Sequence, residues 1–435
     1  MAIPSRQIGW NEQQNLLWNI SKQLEQLVSV WSKVKKSVPN TTTTTSSTTV
    51  VPITTTTTTI PATTTTTTTA AIVGNTYYVS TTGINSSNRG AEALPLLTIQ
   101  YALNNYATYG DTVIVEDGIY NAVNAENIII WNTGGTLANP IVIKSRNKWG
   151  AVLSGNNNLS GICFGTTTGT SGIVIQDFEI TGFSDDAIKL SNANNIKIKG
   201  NKIHGIGKYC TDTDQGITAV YLSTASNIII ENNLIYDIGR YATGENGCTN
   251  TTISWMNKDH GLYLAQALVD VTIANNIIYD CKAGWCVSAG YDLGGNHTRV
   301  KVINNTFSGF NPNRMGQVVM TVINLIDCLY ANNIFYNTSV AGFRLDTQYL
   351  TASGTVFSNN IISNGITCQE TEAGITMINN FENTNPLMTN PAGLDFTLTS
   401  TSPAINAGAI VGLTTDYLGN PIVGIPDIGA YEYIA

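Results

Sequence analysis

The sequence predicts an all-β fold, a parallel β-helix, and three observations carry that prediction. Short period-2 strands recur in the chain's larger, C-terminal part. An Asn-Asn pair marks one corner of nearly every recurrence. Charged residues make up only 11% of the 435 residues, with Thr, Asn, Gly and Ser in their place. An average soluble domain carries about 25% charged residues. No apolar run reaches the 18 or so residues of a membrane-spanning helix. A surface-charged helical globule is excluded, and membrane insertion is not expected.

Three segments follow along the chain. Within residues 1–36, Leu17, Ile20, Leu24, Leu27, Trp31 and Val34 are spaced 3, 4, 3, 4, 3. This is the a/d spacing of an α-helix that docks on a partner or forms a coiled coil. A helix this short is marginal alone in water, so a partner chain is expected. Residues 37–76 form a low-complexity stretch in which 20 of the 29 residues from 41 to 69 are Thr. No charge occurs between Lys36 and Arg89. Such a segment cannot bury a core, and its β-branched residues and prolines favour an extended linker. Residues 77–385 are the β-helix, and 386–435 a C-terminal cap or tail.

The repeat becomes visible when the chain is stacked on its Asn pairs. The second Asn falls at 201, 233, 276, 305, 333, 360 and 380, with Asp177 placed in register before them. A third short strand follows each pair, as in DAIKLS, TAVYLS and HGLYLA. Three strands per 20–43 residues fit stacked rungs with loops at one corner. The variable interval fits the blades of a propeller poorly. Repeated Asn at one corner predicts a side-chain ladder from rung to rung.

Charge and cysteine narrow the partners. The net charge is -8, of which residues 1–36 contribute +3, so the rest sums to -11. An acidic body argues against nucleic acid. The seven Cys include no CxxC pair, so no zinc site is expected and buried thiols are the default reading. Cys210–Cys248, between two long loops, is the one pairing worth testing. The N-terminus lacks the apolar run of a signal peptide. An extracellular-looking body without that run suggests a virion protein released by host lysis.

The residues just before the third strand share one corner and should stack in a column. That column holds Asp185 and Asp186, then Asp212 and Asp214, then Lys258, Asp259 and His260, then Lys282. The two longest insertions, roughly 206–215 and 237–259, open there. Carboxylates on adjacent rungs would lie about 5 Å apart and those two rungs apart about 10 Å. Those separations bracket the retaining and inverting glycosidases. A lyase instead needs a base, for which Lys258, His260 or Lys282 qualify, and a neutraliser of developing charge. Asp185, Asp186, Asp214 and Asp259 are the candidate reacting carboxylates, and Asp212 with Asp214 could hold calcium. Tyr221, Tyr263, Trp255, Trp285, Lys282 and Arg344 lie near the same edge as candidate sugar contacts. Any one of these polar residues could also be an ordinary solvated turn former. His204 and His297 read as a packed or surface residue and a loop residue.

Two stretches carry a family resemblance. Tyr77–Gly83, Leu97–Leu103 and Gly110–Tyr120 resemble the first-rung signature of right-handed β-helix proteins of the pectate-lyase type. The resemblance implies a short helix over 97–107 covering the barrel. Ser402–Gly408, Asp416–Asn420 and Asp427–Glu432 are similar to the exit of many secreted β-helix proteins. The paired Asp185-Asp186 is similar to the doubled Asp of polygalacturonase-like members, without their Arg-Ile-Lys element. The family holds lyases, glycosidases, epimerases and binding fibres. Gly9–Trp18 resembles N-terminal stretches of phage virion proteins, and the whole resembles a tailspike or fibre subunit. That implies a homotrimer, anchored to other virion proteins through residues 1–36, whose β-helix meets host surface polysaccharide. A capsule-degrading lyase or hydrolase is the alternative, and a bacterial surface adhesin a third.

Overall fold

Strand register confirms the stacked-rung reading. The computed structural model describes residues 74–121, 129–131, 135–136, 138–156, 163–166, 170–211, 215–251, 257–281, 284–290, 295–309, 317–321, 323–345, 350–368 and 370–434. The expected N-terminal helix, and nearly all of the Thr-rich linker, lie outside these residues. At the start of the described residues, the Asn75 amide donates to Asp111 Oδ1 at 2.6 Å.

Three parallel sheets run the length of the body. The first stacks eleven strands from Thr76–Val79 through Asn194–Lys199 to Ile375–Ile378. Ten steps at strand spacing give a rise of about 48 Å. The second sheet runs from Gly118–Asn121 to Ile361–Ile362, and the third from Ile129–Trp131 to Ile366–Cys368. Nine successive rungs contribute strands to all three sheets, the first and last strands of the first sheet standing beyond them, and each strand pairs with its counterparts one rung away. That makes the fold a parallel β-helix.

Period-2 patterning places one face of each strand in the lumen. Ile175, Ile198, Ile230, Ile273, Val302, Tyr330 and Phe357 occupy one register position and are all buried. The filling changes from branched aliphatics to aromatics in the last rungs. There Phe335, Phe343, Phe357 and Tyr330 meet at centroid distances of 4.5–5.5 Å. A short helix, α1 (Ile99–Asn105), buries Ile99, Ala102 and Leu103 in the same core. Its N-cap Thr98 accepts the Tyr101 amide, as an N-cap should.

The corner between the first and second sheets explains the Asn pairs. The first residue of each pair takes the left-handed conformation, with φ of 57° at Asn232, 53° at Asn275 and 51° at Asn304. Asn tolerates this region better than other residues with a Cβ. At the rung of Asn201 the position is Gly200, with φ 68°. The second Asn points inward and is fully buried from Asn201 to Asn360, and half-buried at Asn380 on the last rung. Its Oδ1 accepts from the backbone and side-chain amides of the preceding Asn, at 2.9–3.1 Å, from Asn201 to Asn380. Its Nδ2 also donates to a main-chain carbonyl of the preceding rung, as Asn276 does to Ile230 at 2.8 Å. Asp177 sits one residue out of the expected register. It takes the position of Gly200, while Phe178 heads the ladder and donates its amide to Asn201 Oδ1 at 3.0 Å.

The first Asn of each pair has a second task. The tail, 386–434, lies along the outer wall of the second sheet. Asn359, Asn332, Asn304, Asn275 and Asn232 each donate Nδ2 to a tail carbonyl, at 2.8–3.0 Å. Met388, Phe396, Leu398, Tyr417 and Ile428 bury against Ile277, Ile334 and Ile361. The exit motifs hold the tail's own turns: Asp416 accepts from Leu418, Asn420 and Glu432, and Asp427 from Asn406 and Tyr433.

Substitutions in one pair separate the two tasks. Asn276→Ala should destabilise the body by on the order of 3 kcal/mol, because it strands buried partners on both sides. Asn275→Gly keeps the backbone conformation and loses only the bond to Thr415, so it should cost about 1 kcal/mol. Chemical denaturation of both variants tests the order, and a larger loss for Asn275→Gly contradicts it.

Candidate functional site

The outer face of the third sheet gathers the chemistry. Its strands Ile188–Ser191, Thr218–Ser223 and His260–Leu264 are the third strands expected from the repeat. Register aligns Lys189, Tyr221, Tyr263 and Arg344 in one outward column, with Ser288, which is buried, on a rung between the last two.

Asp186 anchors the first rung of this column. Its carboxylate is buried, and Oδ1 accepts both the Thr218 amide and the Thr218 hydroxyl at 2.9 Å. Lys189 Nζ reaches its Oδ2 at 2.9 Å. Burial pushes the Asp186 carboxyl up to about 6, against the pull of Lys189. Burial lowers Lys189, yet Asp186 outweighs it and the ammonium is held above its ordinary value. Asp185, half-buried, accepts the Asp186 amide at 2.8 Å and sets this turn. The Lys189 ammonium sits 5.1 Å from the Tyr221 ring centroid, and Tyr221 lies 5.6 Å from Tyr263. Carboxylate, ammonium and two half-buried rings thus form a continuous strip.

His260 packs behind the strip and is nearly fully buried. Its centroid is 5.5 Å from both Tyr263 and Trp285. Nδ1 accepts the Trp285 amide at 3.1 Å, which leaves the neutral ring's proton on Nε2. Burial lowers its pKa to about 3, so the ring is neutral at pH 7. With its lone pair engaged, His260 is no longer a candidate base. Gly284 makes this packing possible, because a Cβ there would stand 1.8 Å from the Asp259 carbonyl and 2.4 Å from His260 Nδ1. Trp285 is 3% exposed, so its ring is core and not a sugar platform.

Asp259 is committed elsewhere. Its side chain and that of Arg240 are fully buried, paired at 2.7 Å and 3.1 Å. It also accepts the amides of Arg240 and Ile217. Arg240 reaches on to the Gln215 carbonyl at 2.5 Å. The pair lies within the second insertion, and the Arg240 bond to Gln215 ties that insertion to the first, as does the Cys210–Cys248 disulfide, with a Cα separation of 5.3 Å. Asp259 is therefore a structural carboxylate closed to substrate. The remaining five cysteines are buried free thiols.

The other expected residues divide by place. Lys258 is half-buried, with its carbonyl beside Gly216 on the neighbouring rung. Arg344 shares the outward column three rungs beyond Tyr263, about 14 Å away at strand spacing. Asp212, Asp214, Trp255 and Lys282 lie outside the described residues, and the calcium reading rests on the first two. Among the described residues no group of three or more His, Cys, Asp and Glu is placed to hold a metal. His297, expected in a loop, is fully buried in the strand Asn296–Thr298. His204 faces outward on the second sheet, with Nε2 2.9 Å from Glu179.

Two residues of the site escaped the sequence reading. Lys189 could have been found, because it holds the outward position in DAIKLS that Tyr holds in TAVYLS and HGLYLA. Arg240 lies in an insertion outside the repeat, and nothing in its neighbourhood signals a partner.

A comparison with protein-family models finds no match, and neither does one with curated proteins. Among solved structures the chain is similar to an alginate lyase from a Paenibacillus species: TM-score 0.46, 18% identity, 71% of this chain and 95% of that one. It is also similar to a pectate lyase: TM-score 0.44, 15% identity, 83% and 97%. A glycoside hydrolase gives TM-score 0.46, 9% identity, 75% and 99%. These neighbours are polysaccharide lyases and glycoside hydrolases. The fold itself rests on the strand register above.

Two measurements probe the site. Arg240→Leu should cost on the order of 3–5 kcal/mol, because it strands a buried carboxylate; a Tm equal to that of the unsubstituted chain would contradict this. Asp186 binds its proton more tightly folded than unfolded, so its contribution to stability is full below about pH 4 and lost toward pH 6. Asp186→Asn should flatten that part of the stability–pH curve, and an unchanged curve would show that the carboxyl is not raised.

Proposed function

We propose that the third sheet's outer face binds an acidic polysaccharide and cleaves it by β-elimination. The observation that carries this reading is the strip Asp186–Lys189–Tyr221–Tyr263, which spans three successive rungs. Asp186 holds the Lys189 ammonium against the sheet, where it meets a uronate carboxylate. Tyr221 and Tyr263 carry neighbouring sugar rings along the rungs. Lys258, at the same corner, is the base.

The chemistry balances without a further reactant. The base takes the proton from the carbon next to the uronate carboxylate. That electron pair forms a C4–C5 double bond, and the bond to the glycosidic oxygen at C4 breaks. The leaving oxygen takes a proton from water, and the base passes the proton it abstracted to the resulting hydroxide. Lys189 stabilises the negative charge that builds on the carboxylate in between. A hydrolase needs two working carboxylates. Asp259, the partner that spacing offered to Asp186, is occupied by Arg240, which favours elimination.

The heptad and the Thr-rich run support one further element of the reading. Residues 1–76 display the body on a virion, as a homotrimer held to other virion proteins. Host-surface polysaccharide is then the substrate. Recovery of the chain as a dispersed monomer absent from virions would overturn this part.

Incubation of the chain with polygalacturonate or alginate tests the activity. Ultraviolet absorbance from an unsaturated uronate is expected, falling about 100-fold in rate with Lys189→Ala and abolished with Lys258→Ala. New reducing ends without that absorbance would make the protein a hydrolase. Binding without cleavage would leave an adhesin.

A further inference from the structure

A different face carries a second cluster that this reading does not use. At the corner between the first and second sheets the left-handed residue is Asp177, Gly200 or an Asn at successive rungs from Asp177 onward. One rung earlier the corner is a longer turn, since Lys144 pairs with Gln176 and Val152 with Glu179, and the left-handed residue within it is Trp149, with φ 65°. A bulky side chain is unfavourable there, and a retained outlier of this kind points to a function. Two bonds hold the residue in place. Its amide donates to the Asp177 carbonyl at 2.6 Å, and its indole Nε1 reaches two rungs along to the Gly200 carbonyl at 2.8 Å.

The indole lies where the tail stops. The tail's side-chain bonds to this corner run from Asn359 to Asn232, which donates to Asp416 and Tyr417. Past that point the indole takes over the corner. Lys148 Nζ is 4.9 Å from the Trp149 ring centroid and 5.4 Å from that of Tyr417. Lys202 Nζ is 5.2 Å from the Trp149 centroid. Glu179 pairs with Lys202 and His204. Lys148 is exposed and, among the described residues, has no carboxylate partner. The surrounding stretch is basic in an acidic body: residues 144–202 contain seven Lys and Arg against four Asp and Glu.

We propose that Trp149, Lys148 and Lys202 form a second binding site, for an acidic saccharide, on the outer corner away from the third sheet. The sugar's carboxylate meets the two ammonium groups. Its C–H face lies on the indole, and its hydroxyls meet Glu179 and His204. An aromatic ring with adjacent cations suits a ring ligand that carries a negative charge. The site needs no part of the groove on the third sheet, so it stands if that groove binds nothing.

The test uses the full chain carrying Lys189→Glu, which disables the groove, titrated calorimetrically with oligogalacturonate and with neutral dextran oligosaccharide. Binding of oligogalacturonate alone is expected. Adding Lys148→Glu should weaken it about tenfold or more. Trp149→Asn installs a residue that tolerates the left-handed conformation, so it should fold and also lose binding. If Trp149→Asn lowers Tm, the exposed Lys148 decides the case. No binding by the Lys189→Glu chain, or binding unchanged by Lys148→Glu, overturns the proposal. Failure of the groove reading looks different: Lys189→Glu then leaves total binding as it was, and the Lys148→Glu loss remains.

Discussion

One side-chain hydrogen-bond ladder holds the body in register. A parallel β-helix must turn its backbone at every corner, and each turn interrupts the strand ladder. Here the interruption is filled by a buried Asn whose oxygen accepts from the rung before. The amide of the same side chain bonds that earlier rung's main chain. The interaction works only if successive rungs are aligned, because an Asn displaced by one residue would point outward. The ladder therefore fixes register as well as stability. The residue before each ladder Asn must be left-handed to make the turn, and that places its own side chain outside, where the tail is pinned. Neighbouring residues with one sequence letter thus do opposite jobs.

That alignment is what makes a surface site possible. With register fixed, Lys189, Tyr221 and Tyr263 fall on one line although 74 positions of sequence separate the first from the last. Loops can then be inserted without disturbing the line. The two long ones are tied to each other by the bond from Arg240 to the Gln215 carbonyl and by a disulfide. The buried pair closes off a carboxylate that an unpaired arrangement would have left for chemistry. Burial acts on Asp186 in another way. It raises the carboxyl without removing the partner, so the group stays ionised at neutral pH and holds an ammonium in place.

The outer corner shows the same backbone rule being broken. Asn, Asp or Gly suits a left-handed turn, and Trp149 stands in one nevertheless. Its indole spans two rungs and brings two lysines to a single ring in a body that is otherwise acidic. The tail covers the downstream length of that corner and leaves this part to the indole. The wall of one β-helix thus carries a packing surface and an aromatic, cationic one along the same edge.

Much of this was legible in the residues, and the part that was not has a common cause. Local periodicity and the Asn spacing determined the strand pattern, the rungs and the ladder column, because these depend on what each residue does within its own turn. Asp177 was misplaced by one position because it carries the turn and not the ladder, and the two roles share a chemistry. The corner that gathers Asp185, Asp186, Tyr221 and Tyr263 also followed from the repeat. Which carboxylate stays open did not. Arg240 takes Asp259, and the Trp285 amide takes His260. Those pairings join segments through insertions whose paths no local pattern encodes. Burial, and with it the state of each titratable group, was decided only when the rungs closed around them.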